Sequence, residues 1–232
     1  LLFPLLFTLG CKNNPKQEVN QNHKPTTEAS NTSNNFGIVI HGGAGAILKE
    51  KMDPDVEAQY KAKLEEAIRT GYEILERGGS SLDAVEKTIN VMEDSPLFNA
   101  GKGAVFTHNK KNELDASIME GKNLNAGAVA SVTTVKNPIS LARAVMEKSD
   151  HVLLSGEGAE AFALDQGFKS MPPSYFYTEI RMKSLERILE RENTSNEKNV
   201  QAALYDPYLK NVKFGTVGCA ALDKNGNLAA GT

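Results

Sequence analysis

Residues 213–232 read KFGTVGCAALDKNGNLAAGT, and the rest of the chain can be interpreted around them. An apolar run from Val217 to Leu222 is followed by turn residues that include Gly226, which can supply a positive φ, and then by a second apolar run. This pattern predicts a β-hairpin. Thr216 opens the first strand directly after the permissive Gly215. The local pattern alone favours a structural role for Thr216, because β-branched residues are ordinary at strand starts.

Two glycine-containing segments upstream are informative together with this hairpin. They are His41–Gly45, which reads HGGAG, and Phe98–Val105, which reads FNAGKGAV. Together with Gly215–Gly218 and Gly226–Thr232, they resemble the plant-type asparaginase and isoaspartyl peptidase family, whose members are N-terminal nucleophile hydrolases. The resemblance runs from about Phe36 to Thr232. It covers the first subunit of the family and the opening hairpin of the second, so the second subunit is expected to be truncated here.

The resemblance implies that Thr216 is the catalytic nucleophile and that the chain is cut between Gly215 and Thr216. After such a cut, Thr216 carries a free α-amine that titrates near pH 8, so one residue supplies both nucleophile and base. The implied reaction is hydrolysis of β-aspartyl (isoaspartyl) peptides and L-asparagine with release of L-aspartate. The family's substrate-binding residues and oxyanion donors fall beyond Thr232, and the chain as written is expected to be an inactive precursor fragment.

The resemblance also implies supporting residues and a metal ion. Gly43, Asn99 and Thr232 match positions that support the active site. A loop in the family wraps a structural sodium ion through backbone carbonyls, and the matching residues are Met92, Glu93, Ser95, Phe98, Ala100 and Lys102. Oxygen ligands suit such a hard cation, although a tight loop satisfied by water would give the same sequence pattern. No organic cofactor is expected.

Composition limits the other possible functions. The chain has 232 residues, of which 40% are hydrophobic, enough for one sizeable core. A net charge of −3 argues against a nucleic-acid partner and leaves a small-molecule or dipeptide substrate. The two cysteines, Cys11 and Cys219, form no disulfide framework, and no Cys/His cluster has the spacing of a metal site.

The N-terminal segment has its own pattern. Residues 1–11 are apolar and end in Gly10-Cys11, which resembles a bacterial lipoprotein signal with Cys11 as the lipidated residue. Residues 12–35 are polar and are expected to form a flexible linker. We therefore expect an exported protein, a periplasmic or cell-envelope lipoprotein that touches the membrane only through its N-terminal anchor. A plain signal peptide and a chance apolar start are the alternatives.

Hydrophobic periodicity predicts five helices and several strands before the hairpin. The helices are expected over 55–77, 80–95, 139–148, 159–165 and 180–192, and the strands over 36–41, 104–106, 114–119, 127–132 and 151–155. Short polar turns between the middle strands favour antiparallel pairing. Asp115 lies among apolar neighbours in one of these strands and is expected to be buried and hydrogen-bonded.

The resemblance adds the overall fold to these elements. It implies an α+β fold, a four-layer α/β/β/α sandwich, in which residues 36–215 form the first subunit and residues 216–232 begin the second. It also implies a homodimer of processed αβ units. Two other functions are compatible with the sequence: a glycosylasparaginase of the same family, and a surface-binding lipoprotein without turnover. Ser155 does not suit a serine nucleophile elbow, because Leu153 stands where that turn needs glycine.

Overall fold

The computed structural model describes residues 35–43, 52–194 and 216–232. These ranges contain five α-helices: α1 (Pro54–Glu76), α2 (Ser81–Glu93), α3 (Pro138–Lys148), α4 (Gly156–Asp165) and α5 (Glu179–Thr194). They also contain six strands: β1 (Gly37–His41), β2 (Leu114–Glu120), β3 (Ala126–Val132), β4 (Leu153–Ser155), β5 (Gly218–Leu222) and β6 (Leu228–Gly231). The six strands form one sheet in the order β1-β5-β6-β2-β3-β4. The predicted α+β class is therefore confirmed.

The predicted hairpin is confirmed, and it occupies the middle of the sheet. β5 pairs antiparallel with β1 on one side and with β6 on the other, and β6 pairs antiparallel with β2. Gly226 has a φ of +80° in the connecting turn, a conformation that glycine adopts without strain. The last strands in sequence thus join the first strand to β2, β3 and β4.

Helices α1, α2 and α3 pack against one face of the sheet. Alternate residues of β2 are buried beneath them, and the largest buried side chains of the helices include Ile89, Met92 and Ile139. The hairpin lies so close to α2 that a Cβ at Gly231 would stand 2.9 Å from a methyl group of Val85. Close packing on this face therefore depends on small residues in the central strands.

The opposite face of the sheet is uncovered in the described residues. One row across five strands consists of Val39, Ala220, Ala230, Met119 and Ala126, as the strand register defines it. Val39 is 64% exposed and Met119 is 45% exposed. The described ranges contain one sheet, so the second sheet of the expected four-layer sandwich is not among them.

One predicted strand is wrong, and the last strand before the hairpin pairs parallel to its neighbour. Residues 104–106 are not a strand, because side-chain amides take the place of a neighbouring strand. The Asn112 Nδ2 donates to the carbonyls of Ala104 (2.9 Å) and Val105 (3.1 Å), and the Val105 N–H donates to the Asn99 Oδ1 (2.9 Å). β2 and β3 are antiparallel as expected, but β4 pairs parallel to β3 after the crossover through α3.

Candidate active site

A cavity of about 270 Å³ lies at Thr216, the predicted nucleophile. It brings together segments far apart in sequence, and its lining includes Glu93, Asn99, Gly101, Asp115, Thr216 and Thr232. The predicted nucleophile Thr216 therefore shares one cavity with Asn99 and Thr232, two of the predicted supporting residues. Gly215 lies outside the described residues, so the geometry of the Gly215–Thr216 bond is not described.

The hairpin places the two threonines. Thr216 is exposed just before β5, and the next residue, Val217, is buried and fixes the start of the strand. Thr232 follows β6, and its Oγ1 donates a hydrogen bond to the Val217 carbonyl at 2.9 Å. Because β5 and β6 run antiparallel, the start of one lies beside the end of the other. Reciprocal backbone hydrogen bonds of 2.9 Å with Ser117 fix Thr232 against β2.

The loop that follows α2 forms another wall of the cavity. The Asn99 Oδ1 accepts from the Val105 N–H, and within the described residues the Asn99 Nδ2 has no acceptor. Gly101 has a φ of +48°, and a Cβ there would overlap the carbonyl oxygen of Glu93. The turn from Asn99 to Gly103 can therefore rest directly on the end of α2 only with glycine at position 101.

Glu93, the last residue of α2, is fully buried beneath this turn. Its Oε1 accepts from the Ile139 N–H (3.0 Å), and its Oε2 accepts from the side-chain amides of Asn137 (3.1 Å) and Asn90 (3.4 Å). Burial raises the pKa of Glu93 to about 8, against the opposing effect of these three hydrogen bonds. The side chain thus joins α2 to the N-terminus of α3 beside the cavity.

The residues predicted to hold sodium all lie around the end of α2. No group of three or more His, Cys, Asp or Glu side chains in the described ranges is placed to hold a metal ion, so a cation here would depend on backbone oxygens. The Met92 and Ala100 carbonyls accept hydrogen bonds within the loop, at 3.2 and 3.0 Å. No described residue donates to the carbonyls of Ser95 and Phe98, although both residues are buried. These free acceptors fit a hard cation.

Gly43 does not line the cavity, although the strand register directs it towards Thr216. β1 ends at His41, which pairs with Gly218 of β5. Gly43 is two positions beyond His41, and Thr216 is two positions before Gly218, so the antiparallel register carries them towards each other. Gly43 has a φ of +115°, a conformation that favours glycine.

Two carboxylates at the cavity, Glu113 and Asp115, were not predicted as site residues. Asp115 is exposed, so the prediction that it is buried is wrong. It is hydrogen-bonded as expected, since its Oδ1 accepts from the Ser131 N–H at 2.8 Å. The register of β2 against β3 shifts between Leu114 and Ala116, and Ser131 opposite has a φ of +54°. The extra residue of this bulge lies in β3, and Asp115 keeps the alternation of β2, in which Leu114 and Ala116 are buried and Asp115 faces the other side of the sheet.

Comparison with known proteins identifies relatives of the chain. The family model described as asparaginase matches residues 34–232. The isoaspartyl peptidase of Escherichia coli is 45% identical over 195 residues, and the alignment covers 84% of this chain and 59% of that protein. The isoaspartyl peptidase/L-asparaginase of Xenopus laevis is 43% identical, with 84% and 58% covered. The plant-type L-asparaginase of Thermococcus kodakarensis is 45% identical, with 84% and 61% covered.

The same relatives contradict the predicted localisation. Their names, from a bacterium, a frog and an archaeon, describe peptidases and asparaginases, and none of the three describes an exported or lipid-anchored protein. The prediction of an exported periplasmic or cell-envelope lipoprotein is therefore wrong. Cys11, the signal-like residues 1–11 and the linker up to residue 34 lie outside the described residues. In the described ranges, no helix has the length and apolar character needed to cross a bilayer.

The chain spans about three fifths of the length of these relatives. Within that span, the matched region contains the hairpin, the loop after α2 and the cavity that joins them. A family model that matches residues 34–232, together with relatives more than 40% identical over most of the chain, establishes the relationship. The chain belongs to the asparaginase family.

Proposed function

We propose that this chain, extended to the length of its relatives, is an autoprocessing threonine hydrolase that cleaves β-aspartyl peptides and L-asparagine and releases L-aspartate. The observation that carries the proposal is the position of Thr216, exposed at the start of the central hairpin in a cavity shared with Thr232 and Asn99. The names of the relatives favour β-aspartyl peptides and asparagine over the glycan-linked asparagine of a glycosylasparaginase.

Activation requires that the bond before Thr216 be broken. The Thr216 hydroxyl attacks the Gly215 carbonyl, the peptide nitrogen leaves as the Thr216 α-amine, and water then hydrolyses the resulting ester. Before this cut the nitrogen of Thr216 belongs to an amide and cannot accept a proton. After the cut it is a base positioned beside the hydroxyl of the same residue.

The mature Thr216 then acts on the substrate by acyl transfer. Its hydroxyl attacks the side-chain carbonyl of an aspartyl group, and the α-amine takes the hydroxyl proton and delivers it to the departing amine. Water hydrolyses the aspartyl ester and frees Thr216. We assign the free Nδ2 of Asn99 as a hydrogen-bond donor in this cavity, because its Oδ1 is already occupied by Val105.

We propose that a sodium ion is held by the carbonyls of Met92, Glu93, Ser95, Phe98, Ala100 and Lys102. The free carbonyls of Ser95 and Phe98 support this assignment. The ion would supply a positive charge that these oxygens can share, and the residues of the loop would keep Asn99 at the cavity wall.

We further propose the four-layer α/β/β/α sandwich for the extended chain. The uncovered face of the sheet carries an apolar row formed by Val39, Ala220, Ala230 and Met119. Exposure of such a row to water is unfavourable in free energy. A second sheet contributed by the remainder of the chain would bury it, as sheet-on-sheet packing does elsewhere. The family resemblance also supports a homodimer of processed αβ units.

Activity assays on the extended chain test the proposed reaction. Purified protein should release aspartate from a β-aspartyl dipeptide and from L-asparagine, and Thr216→Ala should remove both activities. Thr70→Ala is a suitable control, because Thr70 lies on α1 and lines no part of the cavity. Release of aspartate by Thr216→Ala at the wild-type rate would contradict the assignment of the nucleophile.

A further inference from the structure

We propose that the Glu93 side chain is a positioning residue for the Thr216 site, because it anchors the turn from Asn99 to Gly103 against α3. The inference rests on the proposed function, since it concerns the same cavity. The sequence pointed only to the backbone carbonyl of Glu93, as one of six oxygens in a loop. The structure gives its carboxylate a separate task.

The contacts of Glu93 fix it from the side of the helices. Its Oε1 accepts from the Ile139 N–H at the start of α3, where the unpaired backbone N–H groups favour a negative charge. Its Oε2 accepts from Asn137, just before α3, and from Asn90, one turn earlier on α2. The carboxylate therefore ties the end of α2 to the beginning of α3.

The neighbours of Asn137 and Asn90 show that both side-chain amides donate to Glu93. The Asn137 Nδ2 also donates to the Asp94 Oδ1 at 3.0 Å. The Asn90 Nδ2 also donates to the Ser140 Oγ at 3.1 Å, because the Ser140 hydroxyl donates to the Glu86 Oε1 at 2.6 Å. Neither amide can be reversed without placing an oxygen against an acceptor. Glu93 is thus surrounded by donors on both oxygens, an arrangement that favours the ionised side chain although burial raises its pKa.

The turn at the cavity rests on the other side of Glu93. A Cβ at Gly101 would lie 2.8 Å from the Glu93 Cβ and would overlap the Glu93 carbonyl oxygen, so the two residues are in direct contact. The turn is held at its far end by the hydrogen bond from the Val105 N–H to the Asn99 Oδ1. A displacement of Glu93 therefore moves Asn99 and Gly101 relative to Thr216.

Glu86 provides a matched control on the same helix. It is also buried, and it also bonds to α3, through the Ser140 hydroxyl and through Arg143 Nη1 at 2.8 Å. It lies two turns before Glu93 and does not line the cavity. Loss of Glu86 should weaken the α2–α3 contact without moving the turn that carries Asn99.

The test compares Glu93→Gln with Glu86→Gln in the extended chain. Glutamine keeps the shape of the side chain but presents an amide N–H to a neighbouring donor. We expect Glu93→Gln to slow the cut before Thr216 at least tenfold and to lower kcat of the cut enzyme with little change in KM. We expect Glu86→Gln to change both rates less than threefold, even though it should lower Tm about as much as Glu93→Gln does. Equal rates for wild type and Glu93→Gln, or equal slowing by both variants, would overturn the inference.

A second variant covers the case in which Glu93→Gln does not fold. Asn137→Ala removes one of the three donors to Glu93 and should slow the cut about threefold to tenfold, whereas an unchanged rate would overturn the inference. The wild-type chain separates the two proposals. An uncut wild type would defeat the proposed function and this inference together, but a cut wild type with an equally fast Glu93→Gln would defeat the inference alone.

Discussion

Thr216 has a hydroxyl in the cavity, and no side chain of the described residues is hydrogen-bonded to it. A threonine hydroxyl is a weak nucleophile without a proton acceptor, and no histidine lines the described part of the cavity. The carboxylates of Glu113 and Asp115 also line it, but neither is hydrogen-bonded to the Thr216 hydroxyl, and Asp115 accepts from the Ser131 N–H instead. The α-amine released by the cut is the base that the residue itself can provide.

The pH dependence of the mature enzyme should therefore report an α-amine. An α-amine must be neutral to accept the hydroxyl proton, so kcat/KM should rise with pH through a value of about 8 and then level off. A pH-rate profile with a β-aspartyl dipeptide measures this. A rise centred near pH 6.5 would instead indicate a histidine base, and would contradict the role of the α-amine.

Asp223 shows how one carboxylate fixes the hairpin to α2. It is buried and accepts from the backbone N–H groups of Asn225 (2.9 Å) and Asn227 (3.0 Å) in the turn and of Ser81 (3.2 Å) at the start of α2. Burial pushes the pKa of Asp223 upward, but these hydrogen bonds outweigh it and lower the pKa below its ordinary value.

We predict that Asp223→Asn lowers the free energy of unfolding by about 2 kcal/mol at pH 7, because an amide N–H would face donors. A lowered folded pKa means that the stabilisation is present above the unfolded value and is lost as pH falls through the folded value. The difference between wild type and variant should therefore shrink below about pH 4. Urea unfolding at several pH values measures it. Asp150→Asn, at an exposed site, is the control and should change the stability by less than about 0.5 kcal/mol.

At the scale of elements, the sequence predicted what periodicity and turn residues encode. The run from Val217 to Leu222, with Gly226 in the turn, predicted the hairpin because the pattern is local. Residues 104–106 were wrongly predicted as a strand. The side chains of Asn112 and Asn99 make the hydrogen bonds to their backbone groups, and hydrophobic alternation does not reveal such side-chain bonds. The insertion of the hairpin between β1 and β2 depends on contacts between distant segments and was likewise not predictable.

The site residues were likewise predictable only in part. Thr216, Thr232 and Asn99 belong to segments that resemble the family, so their shared cavity could be anticipated. The exposure of Asp115 follows from the alternation of β2, but its place at the cavity was not predictable, because the other walls come from distant segments. The contacts of the Glu93 side chain also depend on α3, which begins 45 residues later in a separate element.

The turn after α2 depends on glycine at position 101. Gly101→Ala should destabilise the protein by about 2–4 kcal/mol, because it adds a steric overlap with Glu93 to the cost of a positive φ. Gly156→Ala is the matched control, since Gly156 has a φ of +51° but nothing within 4 Å of an added Cβ. It should cost about 1 kcal/mol. Thermal or urea unfolding compares the two, and equal losses would contradict the close contact between Gly101 and Glu93.

At the scale of the whole molecule, the sheet is packed on one side only in the described residues. Helices cover one face, and the other presents an apolar row beginning with Val39 and Met119. About two fifths of the length of each relative lies outside the part that this chain matches. The uncovered face is the place where the additional chain of the proposed sandwich would pack.

We predict that Val39→Asp or Met119→Asp destabilises the extended protein by more than about 3 kcal/mol, because each would bury an unpaired charge between two sheets. Leu164→Asp is the control, since Leu164 is 61% exposed on α4 and outside the sheet. It should change the free energy of unfolding by less than about 0.5 kcal/mol. If all three substitutions are equally mild, the face is not covered and the sandwich is contradicted.

The position of the cut is the strongest test of the claim that Thr216 becomes an N-terminal nucleophile. The extended chain should be purified, separated on a denaturing gel and analysed by mass spectrometry and N-terminal sequencing of the smaller fragment. We predict two fragments, with the smaller beginning at Thr216, and a single uncut chain for Thr216→Ala. A wild-type protein that hydrolyses β-aspartyl dipeptides while remaining one uncut chain, or a fragment that begins at another residue, would contradict the claim.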